Sequence, residues 1–249
     1  MIAKVKKAYQ EIFTTSFWQS FGTITEDDFS TFQHSYQFIT ILDDTYPERL
    51  AEIYNPPIAL FLEGDIDLLE NETLAVIGAR KSTTYGKQMI EKIIPTIIKE
   101  KITIVSGLAK GSDTNAHIET IKNGGQTIAV IGCGLDIYYP KENKKLQDYI
   151  SQEHLIISEY LPTVPPLSYH FPSRNRIIAG LSKGVCVIEA QKKSGTFITA
   201  SLALEEGRDV FAVPGSAFEK TSEGCLELIQ EGAKCIWKPE DILLEWNIN

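Results

Sequence analysis

Short, almost wholly apolar segments recur along the chain from residue 73 onward, and this rhythm limits the possible fold more than any other feature. The segments are rich in Val and Ile, and helical patterns separate them: TLAVIGA (73–79), ITIVSG (102–107), QTIAVIG (126–132), LIISEY (155–160), GVCVIEA (184–190) and DVFAVPG (209–215). Strands that are apolar on both faces belong to parallel sheets that helices cover on both sides. The pattern predicts an α/β fold with an extended Rossmann-like, doubly wound and mostly parallel sheet.

The first 70 residues do not follow this rhythm. They hold aromatic-rich, weakly periodic segments and a Pro-Pro pair before a strand-like run, IALFLEG (58–64). We therefore expect a small N-terminal region over 1–70, with a reduced helical part and a lead-in strand, and a Rossmann-like domain over 71–249. Within that domain, Pro95 should bend or interrupt the helix predicted over 85–100.

Charge and composition exclude several classes of protein. A formal net charge of −9 argues against general coating of polyanions but is compatible with a local basic groove. We find no secretory signal and no apolar run of membrane-spanning length. The 4 cysteines are scattered with no histidine beside them, which favours reduced thiols in the cytoplasm over disulfides or a zinc site.

Small residues stand at four strand ends: IGAR (77–80), VSGLAKG (105–111), IGCG (131–134) and SGT (194–196). The carboxyl ends of parallel strands meet at one edge, and small residues there let backbone N–H groups and helix N-termini approach an anion. Neither G-x-G-x-x-G nor G-x-x-x-x-G-K-[ST] occurs, so NAD and P-loop chemistry are disfavoured. Four such turns on one edge predict a long phosphate-binding surface.

Basic residues near these turns would supply the positive charge of such a surface. Arg80 directly follows the first strand, where a guanidinium can bind a phosphate through two hydrogen bonds. The other basic residues that we expect around the turns are Lys81, Lys110, Lys183, Lys192 and Lys193.

The segment FPSRNRIIAGLS carries two arginines at the start of a predicted helix with Ser173 as its N-cap. This position is unfavourable, because the first turn of a helix prefers anions. Arg174 and Arg176 are two residues apart and cannot share a helix face. We expect one of them to be partly buried, bonded to carbonyl groups or to a carboxylate such as Glu159 or Glu189, and the other to point into the cleft.

Eight sequence blocks, in order, resemble the bacterial DprA (DNA-processing protein A, also called Smf) family. They are VIGARKSTTYG, IVSGLAKGSDTNAH, GGQTIAVIGCGLDIYYP, ISEYLP, FPSRNRIIAGLS, VIEAQKKSGTFITA, EGRDVFAVPG and LIQEGA. The resemblance covers about residues 40–240. It implies a cytoplasmic homodimer that binds single-stranded DNA, protects incoming DNA in natural transformation and loads the RecA recombinase onto it. It implies neither catalytic turnover nor a cofactor.

The turns and the resemblance together give a set of candidate DNA-binding residues, with no catalytic or metal-binding residue among them. The set comprises Gly78, Arg80, Lys81, Ser106, Gly107, Lys110, Gly132, Gly134, Arg174, Asn175, Arg176, Ser194, Gly195 and Thr196. Arg80 should be a principal contact. Unpaired bases could stack on nearby aromatic residues, although the core is the expected place for most of them: Tyr85, Tyr138, Tyr139, Phe171 and, above all, Phe197.

The chain departs from the family pattern at both ends. Many members carry an N-terminal helical domain of SAM type, which we expect to be incomplete here, and a C-terminal winged-helix-like domain, which we expect to be lacking after Asn249. The dimer surface is expected around residues 224–246.

Two other functions stay open. Lysine-decarboxylase-like proteins cleave N-glycosidic bonds with a P-G-G-x-G-T-x-x-E signature, but QKKSGTFITA places Thr199 and Ala200 where the catalytic glutamate is needed. Asp113 and His117 could pair on one helix, either for acid–base chemistry or to cap the SGLAKG turn. A nucleotide-sensing module would use the same glycine turns and would gain little affinity with oligomer length.

Overall fold

The computed structural model describes residues 36–248, and among these residues one sheet of nine strands organises the molecule. The strands are β1 Gln37–Thr40, β2 Ala59–Gly64, β3 Thr73–Ile77, β4 Thr103–Ser106, β5 Thr127–Ile131, β6 Leu155–Ser158, β7 Gly184–Val187, β8 Asp209–Ala212 and β9 Lys234–Cys235. The helices are α1 Glu48–Ala51, α2 Thr84–Ile97, α3 Ser112–Lys122, α4 Lys144–Glu153, α5 His170–Leu181, α6 Gly195–Glu205, α7 Glu223–Gln230 and α8 Glu240–Glu245.

The spatial order of the strands is β1-β2-β6-β5-β4-β3-β7-β8-β9. All neighbours from β6 to β9 pair in parallel, whereas β1 with β2 and β2 with β6 pair antiparallel. The order reverses between β3 and β7, which is the switch point where doubly wound sheets bind their ligands. The predicted fold class is confirmed.

Alternate residues of the central strands face two separate cores. Leu74 and Val76 of β3 pack with the apolar side of α2 and with α8. Ala75 and Ile77 pack on the other face with α5 and α6. The strands are therefore buried on both sides, as their nearly continuous apolar sequences require.

The lead-in segment before β3 belongs to the same sheet and core. Its strand β2 pairs with β6, and Leu50 of α1 is fully buried. A Cβ on Gly180 of α5 would lie 2.8 Å from the Leu50 side chain, so α1 packs directly on α5 at this glycine. Among residues 36–248, the predicted boundary at residue 70 thus coincides with no break in the sheet. The predicted N-terminal helical part lies mostly in residues 1–35, outside the described residues.

One local prediction about a proline is wrong in part, and one about a helix start is wrong. Pro95 does not interrupt α2, which continues to Ile97, and a bend at Pro95 stays a prediction. Helix α5 begins at His170 and not after Ser173, with Pro172 inside its first turn. Proline is tolerated there because the first N–H groups of a helix have no intrahelical partner. Both arginines therefore follow the first turn and escape the unfavourable position that the sequence suggested.

Within the described range no helix is long and apolar enough to cross a membrane. The cysteines are free thiols, as predicted, and Cys133, Cys186 and Cys225 are buried as small apolar side chains.

The Leu50→Ala variant tests whether the lead-in segment and the sheet unfold together. Loss of this fully buried side chain should lower the free energy of unfolding by about 2–5 kcal/mol in a single urea transition. Tyr54→Ala, in the same segment but 96% exposed, should have little effect. A separate early transition for residues 36–70 would contradict the shared core.

Candidate nucleic-acid interface

A cleft of about 630 Å³ opens where β3 and β7 end, at the reversal of strand order. We call it the central cleft. Its lining comes from the turn after β3, the start of α3, the first half of α5 and the start of α6, and includes Gly78, Ala79, Arg80, Lys81, Asp113, Phe171, Arg174, Asn175, Gln191, Ser194, Gly195, Thr196, Thr199 and Thr221.

Two glycine turns are in direct contact beside this cleft. The Ser112 N–H donates to the Ala79 carbonyl oxygen over 3.1 Å. Gly111 has a φ of +81°, and a Cβ there would lie 2.3 Å from the same oxygen. Only glycine satisfies both the conformation and the close approach, so the VSGLAKG turn fixes the position of the chain that carries Arg80.

The start of α6 completes this side of the cleft. The Ser194 hydroxyl accepts a hydrogen bond from the Phe197 N–H at 3.2 Å and caps the helix. The Thr196 hydroxyl donates to the Gly78 carbonyl oxygen at 2.9 Å, which holds the SGT turn against the turn after β3. The positive end of the α6 dipole therefore lies at the cleft.

Arg174 joins α5 to the ends of two strands. Its side chain is only 4% exposed, and its guanidinium donates to the carbonyl oxygens of Gly107, at 2.6 Å, and of Val130. Asp113, also buried, interacts electrostatically with it. Burial raises the pKa of Asp113 to about 6, while the Arg174 charge and backbone N–H groups of the adjoining turns oppose that rise. The cleft thus holds a carboxylate that titrates just below neutral pH.

Arg176 has a different role, as the helical spacing predicted. It donates to the Glu159 carboxylate at 2.6 Å and to the Ser173 carbonyl oxygen at 3.2 Å, and it does not line the central cleft. The other expected carboxylate, Glu189, holds no arginine. It accepts a hydrogen bond from the Thr83 N–H at 3.0 Å and so stabilises the start of α2.

A side pocket of about 120 Å³ adjoins the central cleft at Arg80, Phe171 and Arg174. The Tyr139 and Phe171 rings line it, with centroids 5.1 Å apart. The Arg80 guanidinium lies 5.7 Å from the Phe171 centroid. A Cβ on Gly132 would lie 3.0 Å from the Phe171 ring, so the IGCG turn leaves space for this aromatic side chain.

Most of the candidate residues line one of these two spaces. Those in the central cleft are Gly78, Arg80, Lys81, Arg174, Asn175, Ser194, Gly195 and Thr196, and those in the side pocket alone are Gly107, Lys110 and Gly132. The three other candidate residues, Ser106, Gly134 and Arg176, instead form hydrogen bonds with other groups of the protein. The buried Ser106 hydroxyl donates to the Val76 carbonyl oxygen, the Gly134 N–H donates to the Val164 carbonyl oxygen, and Arg176 is bonded to Glu159.

Acidic partners distinguish Lys110, Lys183 and Lys192 from Arg80 and Lys81. The remaining expected lysine, Lys193, is exposed and forms no ion pair with another described residue. Lys110 pairs with Glu142 at 2.6 Å and Lys192 with Glu227 at 3.6 Å. Lys183, expected near the turns, precedes β7 at the opposite edge of the sheet and pairs with Glu72. Arg80 and Lys81 line the cleft without an ion pair to another described residue.

The aromatic predictions had mixed outcomes. Phe197 packs against the apolar core, as expected. Tyr138 contacts the Lys144 ammonium, and Tyr85 donates to the Pro214 carbonyl oxygen. Phe171, one of the five aromatic residues for most of which the core was the expected place, lines both spaces. No local signal marks this position, because a residue before a proline usually avoids the helical conformation, whereas Phe171 lies in the first turn of α5.

The Asp113–His117 pair considered for acid–base chemistry is not formed. His117 is fully buried, and its Nδ1 bonds to the Thr127 hydroxyl at 2.7 Å instead of to Asp113. Asp113 instead receives hydrogen bonds from the backbone of the VSGLAKG turn. Thr199 lines the cleft. It occupies the position at which the glycosidase signature has its catalytic glutamate.

These features define a doubly wound α/β protein with a cationic, glycine-lined cleft at the switch point of its sheet. The family model of DNA recombination-mediator protein A matches residues 37–247. DNA processing protein DprA of Streptococcus pneumoniae is 55% identical over 207 residues, which cover 83% of this chain and 73% of that protein. The chain therefore belongs to the DNA recombination-mediator protein A family of DNA-processing proteins.

Solved structures agree with this assignment. The X-ray structure of DprA from Streptococcus pneumoniae aligns with a TM-score of 0.88 and 46% identity, covering 98% of this chain and 92% of that one. DNA processing protein A from Helicobacter pylori, whose structure was described for its single-stranded DNA binding mode, aligns with a TM-score of 0.76 and 32% identity. That alignment covers 85% of this chain and 96% of the other.

Binding of an anion to the central cleft should strengthen as the pH falls through about 6. Protonation of Asp113 removes a negative charge beside Arg174, which makes the cleft more positive. The Asp113→Asn variant should show no such change of affinity with pH. Above pH 6, it should bind the anion as tightly as the wild type does below pH 6. The measurement is titration of a short single-stranded oligonucleotide across this pH range at constant ionic strength. An unchanged pH step in the variant would assign it to another group.

Proposed function

We propose that the chain binds single-stranded DNA across the central cleft and the side pocket. The observation that carries the proposal is the pair of basic side chains, Arg80 and Lys81, that line the cleft without an acidic partner among the described residues. They lie beside glycine turns and the N-terminus of α6, where phosphate oxygens can accept hydrogen bonds from backbone N–H groups.

The side pocket supports a preference for unpaired strands. Tyr139 is 40% exposed and lies against Phe171, so the pocket combines aromatic rings with the cationic groups of Arg80 and Lys110. Aromatic stacking needs a base whose face is free, which a duplex does not offer. A strand with its phosphates in the central cleft could place one base at this pocket. The Helicobacter pylori relative, described for its single-stranded DNA binding mode, is consistent with this arrangement.

Protection of incoming DNA, loading of RecA, a cytoplasmic location and the absence of catalysis complete the proposal. They rest on membership of the family and on the sequence resemblance. The missing glutamate at Thr199 and Ala200 and the unformed Asp113–His117 pair weigh against the glycosidase alternative.

Arg80→Ala should weaken binding of a single-stranded oligonucleotide by about 1.5–3 kcal/mol, the usual worth of a hydrogen bond to a charged group. It should also reduce the slope of log affinity against log salt by about 0.7, the value per phosphate contact on a single strand, because one such contact is lost. Fluorescence anisotropy at several salt concentrations measures both. Lys99→Ala removes an exposed positive charge just beyond α2 and serves as the charge-matched control.

Phe171→Leu complements this experiment. Loss of a stacking ring should weaken binding by about 1–3 kcal/mol while leaving the salt slope unchanged. If duplex DNA or mononucleotides compete as well as the oligonucleotide, the proposal is wrong and a nucleotide-sensing function gains support.

An exposed apolar surface near the end of the described chain supports the proposal that the protein forms a homodimer. Trp237 and Leu244, beside the edge strand β9 and on α8, are 59% and 61% exposed. They fall within the segment 224–246 expected at the dimer surface. Light scattering should give twice the 27.8 kDa chain mass for the wild type and the single mass for Leu244→Arg. Tyr54→Arg, at another exposed position, should remain a dimer; a monomeric wild type would contradict the proposal.

A further inference from the structure

A second cavity, of about 680 Å³, lies next to the central cleft, and Thr221 lines both. It is formed by the start of α2, the end of β7 and the segment that follows β8. We call it the acidic cavity. Its volume is within the range of small-molecule sites, and none of the candidate DNA-binding residues lines it.

The charge of this cavity is opposite to that of the central cleft. Glu189 and Glu219 line it, and among the described residues of its lining there is no lysine, arginine or histidine. Phosphates are repelled by such a site, whereas groups with several N–H donors are attracted. Along the carboxyl ends of the strands, the charge of the lining therefore changes from positive in the central cleft to negative in the acidic cavity. Thr221 lies at the boundary between the two.

Glu189 is held in place before any ligand arrives. It is 3% exposed, and its two carboxylate oxygens accept hydrogen bonds from the N–H and the hydroxyl of Thr83. A Cβ on Gly86 would lie 2.2 Å from one of these oxygens, so the glycine admits the carboxylate. Each oxygen can accept a further hydrogen bond, which leaves acceptor capacity for a ligand.

The remaining lining suits a flat ring with polar edges. Tyr85 forms a wall, since its hydroxyl is fixed to the Pro214 carbonyl oxygen at 2.6 Å. Hydroxyl groups that can donate or accept come from Thr84, Ser216 and Ser222. An aromatic wall, carboxylate acceptors and adaptable hydroxyls are the elements with which proteins bind nucleobases.

We propose that the acidic cavity is a base-binding subsite that prefers guanine over thymine in a strand held at the central cleft. Guanine presents a ring N–H and an adjacent amino group, two donors that match carboxylate acceptors, while the hydroxyls can donate to its carbonyl oxygen and to a ring nitrogen. Thymine presents one ring N–H between two carbonyl oxygens, which the carboxylates repel. The inference rests on the proposed function, because the strand brings the base to the cavity.

The test compares a short oligothymidylate with the same strand carrying one central guanine, and with hypoxanthine in place of that guanine. The wild type should bind the guanine strand at least about fivefold more tightly than the thymine strand, the ratio expected for one well-formed pair of hydrogen bonds. Removal of the amino group in hypoxanthine should lose most of that gain.

Glu219→Gln should remove the preference without unfolding the protein, because Glu219 is exposed. Glu205→Gln removes the same charge near the far end of α6, outside the cavity, and should keep the preference. Arg80→Ala should weaken both strands by the same factor. Free 2′-deoxyguanosine, which lacks a phosphate, should compete far less than the guanine strand.

The outcomes separate the two proposals. Equal affinity of the wild type for both strands would overturn the base subsite and leave DNA binding intact, as would a preference that survives Glu219→Gln. Competition by 2′-deoxyguanosine as strong as by the strand would overturn the strand as the source of the base. Binding of neither strand would overturn the proposed function itself.

Discussion

The buried guanidinium of Arg174 is the interaction on which the binding edge depends. It comes from α5, yet it donates to carbonyl oxygens at the ends of β4 and β5, and the partly compensating charge of Asp113 comes from α3. A buried cation is tolerated only when hydrogen bonds and an opposite charge surround it. One side chain therefore holds the ends of β4 and β5 and the helices α3 and α5 in fixed relative positions. The glycine turns that connect these elements are positioned as a result.

The strand edge also shows how an acidic chain can present a surface for a polyanion. The chain carries a net charge of −9, and two lysines near the carboxyl ends of the strands, Lys110 and Lys192, are paired with glutamates. Arg80 and Lys81, at the turn after β3, line the central cleft without such a partner among the described residues. Local potential depends on where charges lie and on the dielectric around them more than on the total, so a narrow cationic cleft can coexist with a neighbouring acidic cavity.

The sequence was most informative for features that depend on neighbouring residues in the chain, such as strands and glycine turns. Apolar runs of strand length predicted the sheet, and the glycine-ended turns predicted the strand ends at which the central cleft opens. Side-chain partners were harder, because they depend on which elements become neighbours. Arg176 is paired with Glu159, as predicted, but Glu189 accepts hydrogen bonds from Thr83. Lys183 lies at the amino end of β7, away from the cleft. The start of α5 was misplaced because Ser173 is a good N-cap in isolation, whereas packing extends the helix through Pro172. The position of Phe171 at the cleft depends on that extension, since the residue lies in the first turn of the longer helix.

The pairing of β2 with β6 and the contact of Leu50 with Gly180 have a consequence for how this chain could be shortened. A fragment beginning at residue 71 would keep every residue of the central cleft, yet it would leave the β6 backbone unpaired along one edge and uncover the apolar side of α5. Open edges of this kind invite association with other chains. The segment before β3 thus acts as a built-in edge cover, and positions 50 and 180 should vary together among related sequences, since a larger residue at one requires a smaller residue at the other.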